Sequence, residues 1–403
     1  MVRAFSRANI RLPVFGLALS AAVVSFAPLA RAADPGVTAT SVKIGQTVPL
    51  SGPVSSYATF SRATLAFYEM INDRGGVAGR RIELVSADDA FSPPKTVEQT
   101  RKLVESDEVF AIVAPMGGVG AKAVQKYLNI QQVPQFLIQS SLPSWNNPRE
   151  FPWSISGLPN SDIEVGMYAQ YLLKTKPKAR VAVLYQNDAF GRAYFTALED
   201  ALKGKEASIV ATEAFDLIEP TIDSRIARLA ATKADALLIG ATARQTIQAL
   251  KKSAELGWRP QMFIAYPAAN IERTYKIAGV DLAKGAISSS VFKDPGDPAT
   301  ANDADMKGYF AFMDRYYSSG DRYDTLNVAA YVEGHILVEV LKRCGPDLSR
   351  KTFLDKATSL GDFKAPMLRD AVIVRTDPLN YDLFRSMQLL QFDGKENRAI
   401  VIP

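Results

Sequence analysis

The string with the clearest chemical potential lies at residues 118–123, which read Gly-Val-Gly-Ala-Lys-Ala. It stands between a predicted strand at residues 109–114 and a predicted helix, and it matches the G-x-G-x-x-A pattern of dinucleotide-binding turns. A nicotinamide-dependent oxidoreductase is disfavoured, because the string belongs to the third strand–helix unit and residues 135–141 contain no acid for a ribose hydroxyl. A glycine-rich turn at a helix start still exposes free N–H groups, so the segment predicts a binding place for a carboxylate. A tight turn of small residues without a ligand is the alternative.

Nucleophiles and metal ligands are scarce in this chain. It has one histidine, His335, and one cysteine, Cys344, which fall within and at the end of a predicted helix. No G-x-S-x-G, H-E-x-x-H, phosphate-loop lysine or calcium-loop pattern occurs. Asp88 and Asp89 form an acidic pair at a strand end without a third acid nearby, and we expect a solvated turn there. We therefore predict no catalytic residues, no metal and no cofactor.

Aromatic residues follow several predicted strands. Tyr57 comes after the first strand, Phe190 after the strand at residues 180–185, and Tyr266 after the strand at residues 262–265. Ligands of open α/β sheets bind at the carboxyl ends of the strands. These rings are therefore expected to form the walls of an apolar pocket.

Strand-like and helix-like segments alternate in two series. Residues 42–138 contain four strands separated by three helices, and the alternation restarts over residues 161–265 after an irregular stretch. This pattern predicts parallel sheets with helices on both faces. After residue 285 too few strands remain for a third lobe, so the later helices are expected to pack on the first. The predicted fold class is α/β, with two doubly wound, Rossmann-like lobes.

The first 32 residues have the features of an export signal. Three arginines precede a mostly apolar run at residues 12–29, and Ala-Arg-Ala follows at residues 30–32. Four of the formal +5 charges come from this segment, so the remaining chain carries only +1 and gives no argument for nucleic-acid binding. The composition, 47% hydrophobic and 22% charged, excludes a disordered or multi-span chain. We predict an exported, periplasmic protein that is a monomer.

Four segments resemble the periplasmic solute-binding proteins of branched-chain amino-acid ABC transporters. They are residues 44–53 (IGQTVPLSGP), 71–80 (INDRGGVAGR), 185–191 (YQNDAFG) and 388–394. Within that class the chain looks most similar to the branch that binds aromatic acids, on the strings at residues 133–135, 151–153 and 314–317.

The resemblance implies a type I periplasmic binding protein, with two lobes joined by three crossovers and closing on a ligand. Lobe 1 is then residues 42–157 plus 288–382, and lobe 2 is residues 158–287 plus 383–403. The family also implies a monocarboxylate or amino-acid ligand, an ABC permease as partner and no enzymatic activity.

Most of the predicted ligand contacts come from the same resemblance. It places the ligand carboxylate at Gly118 or Val119, where amino-acid binders usually have serine, and at the strand end of Ser140. The family's acid for an amino-acid ammonium would fall at residues 266–269, which contain no carboxylate. An aromatic or similarly apolar acid is therefore favoured, since a buried ammonium without an anionic partner is costly. The full set of expected ligand-binding residues is Tyr57, Gly117, Gly118, Val119, Ser140, Ser141, Phe190, Arg192, Tyr266 and Asn327.

Within this set, Arg192 is expected as a second anion contact and Asn327 as a polar group at the start of a late helix. The alternatives are a branched-chain or other amino-acid binder and a ligand-sensing partner of a membrane receptor. An ammonium partner from elsewhere in the chain, such as Asp188 or Glu272, stays open.

Overall fold

A computed structural model describes residues 1–5, 8, 34–296, 300–370 and 372–403. The chain divides into a short unit, Met1–Ala32, and a large unit, Ala33–Pro403, which contains every element described below. The predicted export signal lies outside the described residues, apart from residues 1–5 and 8. No helix in the described part of the chain is long and apolar enough to cross a membrane.

The first sheet of the large unit has five strands that pair only in parallel, in the order β2-β1-β3-β4-β5. Its strands are β1 (Ser41–Val48), β2 (Arg81–Asp88), β3 (Ala111–Val113), β4 (Gln135–Ile138) and β5 (Ser154–Ser156). The connecting helices are α1 (Ala58–Asp73), α2 (Pro93–Glu105) and α3 (Gly118–Ile130). The central strands β3 and β4 are buried throughout, as expected for a parallel sheet with helices on both faces.

The second sheet has seven strands in the order β12-β11-β10-β9-β8-β6-β7. Its strands are β6 (Arg180–Gln186), β7 (Ser208–Phe215), β8 (Ala236–Gly240), β9 (Gln261–Ile264), β10 (Ile287–Ser290), β11 (Gln388–Phe392) and β12 (Asn397–Ala399). The strands β6 to β10 pair in parallel, whereas β11 and β12 form an antiparallel hairpin near the chain end. Its helices are α4 (Ser161–Thr175), α5 (Ala189–Leu202), α6 (Asp223–Ala231), α7 (Ala243–Glu255), and the short α8 (Lys276–Ala278) and α9 (Val280–Ala283).

Three later helices pack against the first sheet and its helices. They are α10 (Ala304–Tyr316), α11 (Thr325–Cys344) and α12 (Arg350–Ala357). Helix α11 approaches α1 closely because Gly334 has no side chain: a Cβ there would lie 2.3 Å from Phe67 Cδ1. The next residue, His335, packs edge-on against Phe67 with ring centroids 4.8 Å apart, and burial lowers its pKa to about 4. The histidine is thus a neutral part of the core.

The chain passes between the two sheets three times. It crosses after β5, returns after β10, and crosses again before β11. The mixed α/β architecture with parallel sheets confirms the predicted fold class.

Candidate functional site

A cavity of about 930 Å³, including its open mouth, lies between the strand ends of the two sheets. Gln139 and Ser140, which follow β4, form one side of it, while Gln186 at the end of β6 and Tyr266 after β9 form the other. The cavity therefore occupies the edge at which parallel α/β sheets bind their ligands.

Eight of the ten residues expected to bind a ligand line this cavity. They are Tyr57, Gly117, Gly118, Val119, Ser140, Ser141, Phe190 and Tyr266. Their gathering follows from the parallel sheets, which bring the carboxyl ends of strands to one edge. Their individual roles stay predictions.

Arg192 and Asn327 are absent from the cavity lining, and their positions explain why. Arg192 lies in α5 and donates from Nη2 to Asn187 Oδ1 at 2.6 Å, at the exposed surface. Asn327 is fully buried; its Nδ2 donates to the Asp321 carbonyl at 2.8 Å and its Oδ1 accepts from Thr59 Oγ1 at 2.8 Å. Hydrogen bonds within the protein thus occupy the Asn327 amide. Neither residue is among those that line the cavity, and their roles in ligand binding stay predictions.

Only one residue of the acidic pair Asp88 and Asp89 lies in the solvated turn that the sequence predicts. Asp89 is 1% exposed and accepts hydrogen bonds from Thr96 Oγ1 and the Phe91 N–H. Only Asp88 is solvated, and it holds the loop after β1 by accepting from the N–H groups of Leu50 and Ser51. The pair stabilises two turns.

The start of α3 brings backbone donors to the cavity. Gly117 has φ of +101°, and a Cβ on it would lie 2.6 Å from Phe91 Cε2, so only glycine fits without strain. Its N–H donates to the Gln139 carbonyl at 3.2 Å, which fixes the helix start beside the end of β4. The N–H groups of Gly118 and Val119 lie in the first helical turn, where no intrahelical acceptor is available.

Tyr57 and Tyr266 form aromatic walls on opposite sides of the cavity. Tyr57 follows β1 of the first sheet, and Pro267 follows β9 of the second sheet. The Tyr57 hydroxyl donates a hydrogen bond to the Pro267 carbonyl oxygen at 3.3 Å. Tyr266 packs against Phe292 with ring centroids 6.2 Å apart. The Tyr57 side chain thus already contacts the backbone of the opposite side of the cavity.

The cavity also contains a cation that the sequence patterns did not identify. Arg273 lines it with only 12% of its side chain exposed, and its guanidinium lies over the Tyr57 ring, 4.7 Å from the centroid. Nε pairs with Asp324 Oδ2 at 3.0 Å, whereas Nη1 is buried and has no hydrogen-bond partner among the residues that the structure describes. A buried guanidinium nitrogen without an acceptor is costly, and a ligand carboxylate would supply one.

The local sequence around Arg273 explains how it reaches the cavity. Asn270 caps the single π-helical turn Ile271–Tyr275 by accepting from the Arg273 N–H at 2.8 Å. The Asn270 Nδ2 donates to Asp324 Oδ1 at 2.9 Å and lies 2.7 Å from Thr325 Oγ1, at the start of α11. The signal available in the sequence was an Asn cap followed by an arginine soon after a strand end. Its partner Asp324 is 51 residues away, so spacing could not reveal the pair.

A buried carboxylic acid supports the wall that contains Tyr266. Glu164 Oε1 accepts from the Tyr266 N–H at 2.8 Å and from Ser289 Oγ at 3.0 Å, and the hydroxyls of Tyr168 and Tyr194 also donate to this carboxyl. Burial raises the pKa of Glu164 to about 7, although these hydrogen bonds act to lower it. The carboxyl therefore keeps its proton at pH values where an exposed glutamate has lost it.

We expect Glu164 to make folding stability fall as the pH rises from about 5 to 7. Between the ordinary pKa of a glutamate and 7 the folded state binds more protons than the unfolded one, so stability is lost as the proton dissociates. The loss is on the order of 3 kcal/mol at most. Urea unfolding of Glu164→Gln and the parent at pH 5, 6, 7 and 8 measures it. His335 titrates in both proteins, so the difference isolates Glu164; parallel pH profiles would contradict the assignment.

Comparison with known proteins identifies the same architecture. A family model described as periplasmic binding protein matches residues 41–396. The leucine-specific-binding protein of Salmonella typhimurium is 25% identical over 279 residues, which cover 67% of this chain and 73% of the relative.

Two solved structures share the fold. A branched-chain amino-acid ABC transporter protein from Thermus thermophilus with bound valine has a TM-score of 0.81 at 15% identity, covering 91% of this chain and 97% of the other. A fatty acid ABC transporter substrate-binding protein from Thermomonospora curvata has a TM-score of 0.76 at 18% identity, covering 92% and 94%.

Proposed function

Because the chain belongs to the periplasmic binding protein family, in the type I class of leucine/isoleucine/valine-binding proteins, we propose that its ligand is a small monocarboxylate with an apolar or aromatic body. The family's proteins bind solutes for ABC importers and are not enzymes, so the chain is a binding protein that works with an ABC permease. The proposal concerns the kind of solute and the residues that hold it.

Arg273 is the observation that carries the proposal. Its guanidinium is nearly buried, is oriented by Asp324 and the Tyr57 ring, and keeps Nη1 without an acceptor. A carboxylate forms charge-assisted hydrogen bonds with such a group, and these are the strong ones. The backbone N–H groups at Gly118 and Val119 offer a second place for polar ligand atoms.

The remaining walls suit an apolar body. Rings of Tyr57, Phe91, Phe190 and Tyr266 line the cavity, together with Leu326 and Ala329 and other apolar side chains. Burying a ligand ring against such walls contributes through the hydrophobic effect and aromatic packing. The fatty acid named for one structural neighbour is a carboxylate joined to an apolar chain, and the valine named for the other carries an ammonium in addition.

We propose that the protein is exported to the periplasm and that its two lobes have the boundaries predicted from the sequence. Ligand binding then works by closure of these two sheet-containing lobes. Two contacts support this: Tyr57 with Pro267, and Arg273 with Asp324. A ligand that touches both sides stabilises the closed state in proportion to its differential affinity for it.

An amino-acid ligand is the second candidate, and Asp188 favours it. Its carboxylate lines the cavity, with Oδ2 2.5 Å from Gln186 Nε2 and Oδ1 3.1 Å from the Gly191 N–H. Gln186 Oε1 is buried without a partner, so an ammonium beside it would find acceptors. Against it, both Asp188 oxygens already accept hydrogen bonds. Glu272 pairs with Lys276 at 2.7 Å and is absent from the cavity lining.

A thermal-shift panel separates the two candidates. Benzoates, cinnamates, aliphatic acids, leucine and valine are each added at the same concentration. A ligand present at a hundredfold excess over its dissociation constant stabilises by about 2.7 kcal/mol, so the size of the shift ranks the affinities. We expect the aromatic acids to raise the melting temperature. A shift with leucine or valine alone would establish the amino-acid candidate, and no shift with any carboxylate would refute the proposed function.

A further inference from the structure

We infer that the ligand carries a hydroxyl group at the end opposite its carboxylate, and that Gln139 and the first N–H groups of α3 bind this hydroxyl. The inference rests on the proposed function and adds the polarity of the second end of the ligand. It depends on the orientation of one side-chain amide, on the acceptor that this amide leaves free, and on the spacing of two contacts along α11.

Hydrogen bonds determine the orientation of the Gln139 amide. Its Nε2 lies 2.8 Å from the Leu137 carbonyl and 2.6 Å from Glu333 Oε2. A carbonyl oxygen can only accept, so the nitrogen and not Oε1 must face Leu137. Both N–H bonds of the amide are then used inside the protein. The remaining atom, Oε1, is an acceptor without a donor among the described residues, on a side chain that lines the cavity.

Glu333 fixes the orientation of the Gln139 amide by accepting a hydrogen bond from its Nε2. It lies in the middle of α11, 2% exposed, one helical turn after Ala329, which lines the cavity. Its burial raises the pKa of the carboxyl, while the hydrogen bond from Gln139 acts to lower it. The Gln139 oxygen that remains free can only accept hydrogen bonds, so it disfavours a ligand carboxylate at this end.

A hydroxyl is the ligand group that matches both kinds of partner here. Gln139 Oε1 needs a donor, whereas the N–H groups of Gly118 and Val119, at the neighbouring helix start, need an acceptor. A hydroxyl donates one hydrogen bond and accepts others. A carboxylate would satisfy the N–H groups and repel Oε1, and an ammonium would satisfy Oε1 and leave the N–H groups without an acceptor.

The spacing along α11 places the hydroxyl site away from the carboxylate site. Arg273 contacts Asp324 at the helix cap, and Gln139 contacts Glu333 nine residues later. At 1.5 Å per residue these two contacts lie about 13 Å apart along the axis. Leu326 and Ala329, between them, line the cavity with apolar atoms. The arrangement fits an apolar ring with polar groups at its two ends.

The test compares ligands that differ only in the distal group. Dissociation constants are measured by titration calorimetry for 4-hydroxybenzoate and 4-methylbenzoate, and for the same pair of substituents on cinnamate, because the spacing does not determine the length of the linker. A methyl group is close to a hydroxyl in size but leaves Oε1 unpaired. We expect the hydroxyl compound to bind at least about tenfold more tightly on one of the two frames.

The variants assign that preference to Gln139. Gln139→Met retains the size of the side chain and removes the acceptor, so the preference should fall to about twofold or less. Gln135→Met, at the start of the strand that precedes Gln139 and absent from the cavity lining, serves as the matched control and should keep the full preference. Preserved preference in Gln139→Met would overturn the inference. If that variant does not fold, the wild-type comparison decides alone.

The outcomes distinguish this inference from the proposed function. Equal affinities for hydroxyl and methyl compounds would refute the hydroxyl site while leaving the carboxylate proposal intact. Binding of neither compound, together with no thermal shift from any acid of the panel, would refute the proposed function itself.

Discussion

Replacing Arg273 with methionine is expected to weaken the binding of every carboxylate ligand by about a hundredfold, because a charge-assisted hydrogen bond to a nearly buried guanidinium contributes on the order of 3 kcal/mol. Part of the loss will come from Asp324, which is 4% exposed and would lose its guanidinium partner. Arg273→Lys keeps the charge but loses the planar fork, so it should recover only part of the affinity.

Arg192→Met is the matched control for this experiment. Arg192 is also an arginine of the second sheet's helices, yet it pairs with Asn187 at the surface and is absent from the cavity lining. Calorimetry on the three variants and the parent, with an aromatic acid and with an amide analogue that lacks the charge, measures the effect. If Arg273→Met binds the acid as tightly as the parent, the carboxylate lies elsewhere, and the start of α3 becomes its remaining candidate.

Gly117→Ala is expected to destabilise the protein by about 2–4 kcal/mol and to weaken ligand binding. Alanine pays a steric cost at φ of +101°, and its Cβ would lie 2.6 Å from the Phe91 ring. Since Phe91 itself lines the cavity, relieving this clash moves a wall or the start of α3. Either movement would displace the backbone N–H donors at the start of α3, beside Gln139.

Gly166→Ala is the control for Gly117→Ala, because the same substitution is expected to increase folding stability at this position. Gly166 lies within α4, has no atom within 4 Å of a built Cβ, and is not in the left-handed region. Alanine there should stabilise by up to about 1 kcal/mol through helix propensity. Urea unfolding of both variants, with ligand titrations in parallel, measures the contrast. A Gly117→Ala protein as stable as the parent would show that the turn is not strained.

The amino-acid sequence by itself determined the architecture and much of the binding edge. Apolar strands alternating with amphipathic helices are local patterns, and the strand order follows from the rules for parallel sheets. The rings of Tyr57, Phe190 and Tyr266 could be assigned to one edge because each follows a strand, and parallel strands end together. Gly117 could be assigned because a glycine-rich turn before a helix has a local conformational cause.

Only the tertiary structure decided the polar chemistry of the cavity. Arg273 becomes an anion site because Asp324 and Tyr57, distant in the sequence, hold its guanidinium in place. Gln139 becomes an acceptor because Glu333, 194 residues away, uses its second N–H. Which atoms of a side chain stay free depends on all its neighbours at once, and that information is absent from local spacing. The absence of Asn327 from the cavity lining has the same origin, since its amide forms hydrogen bonds inside the protein.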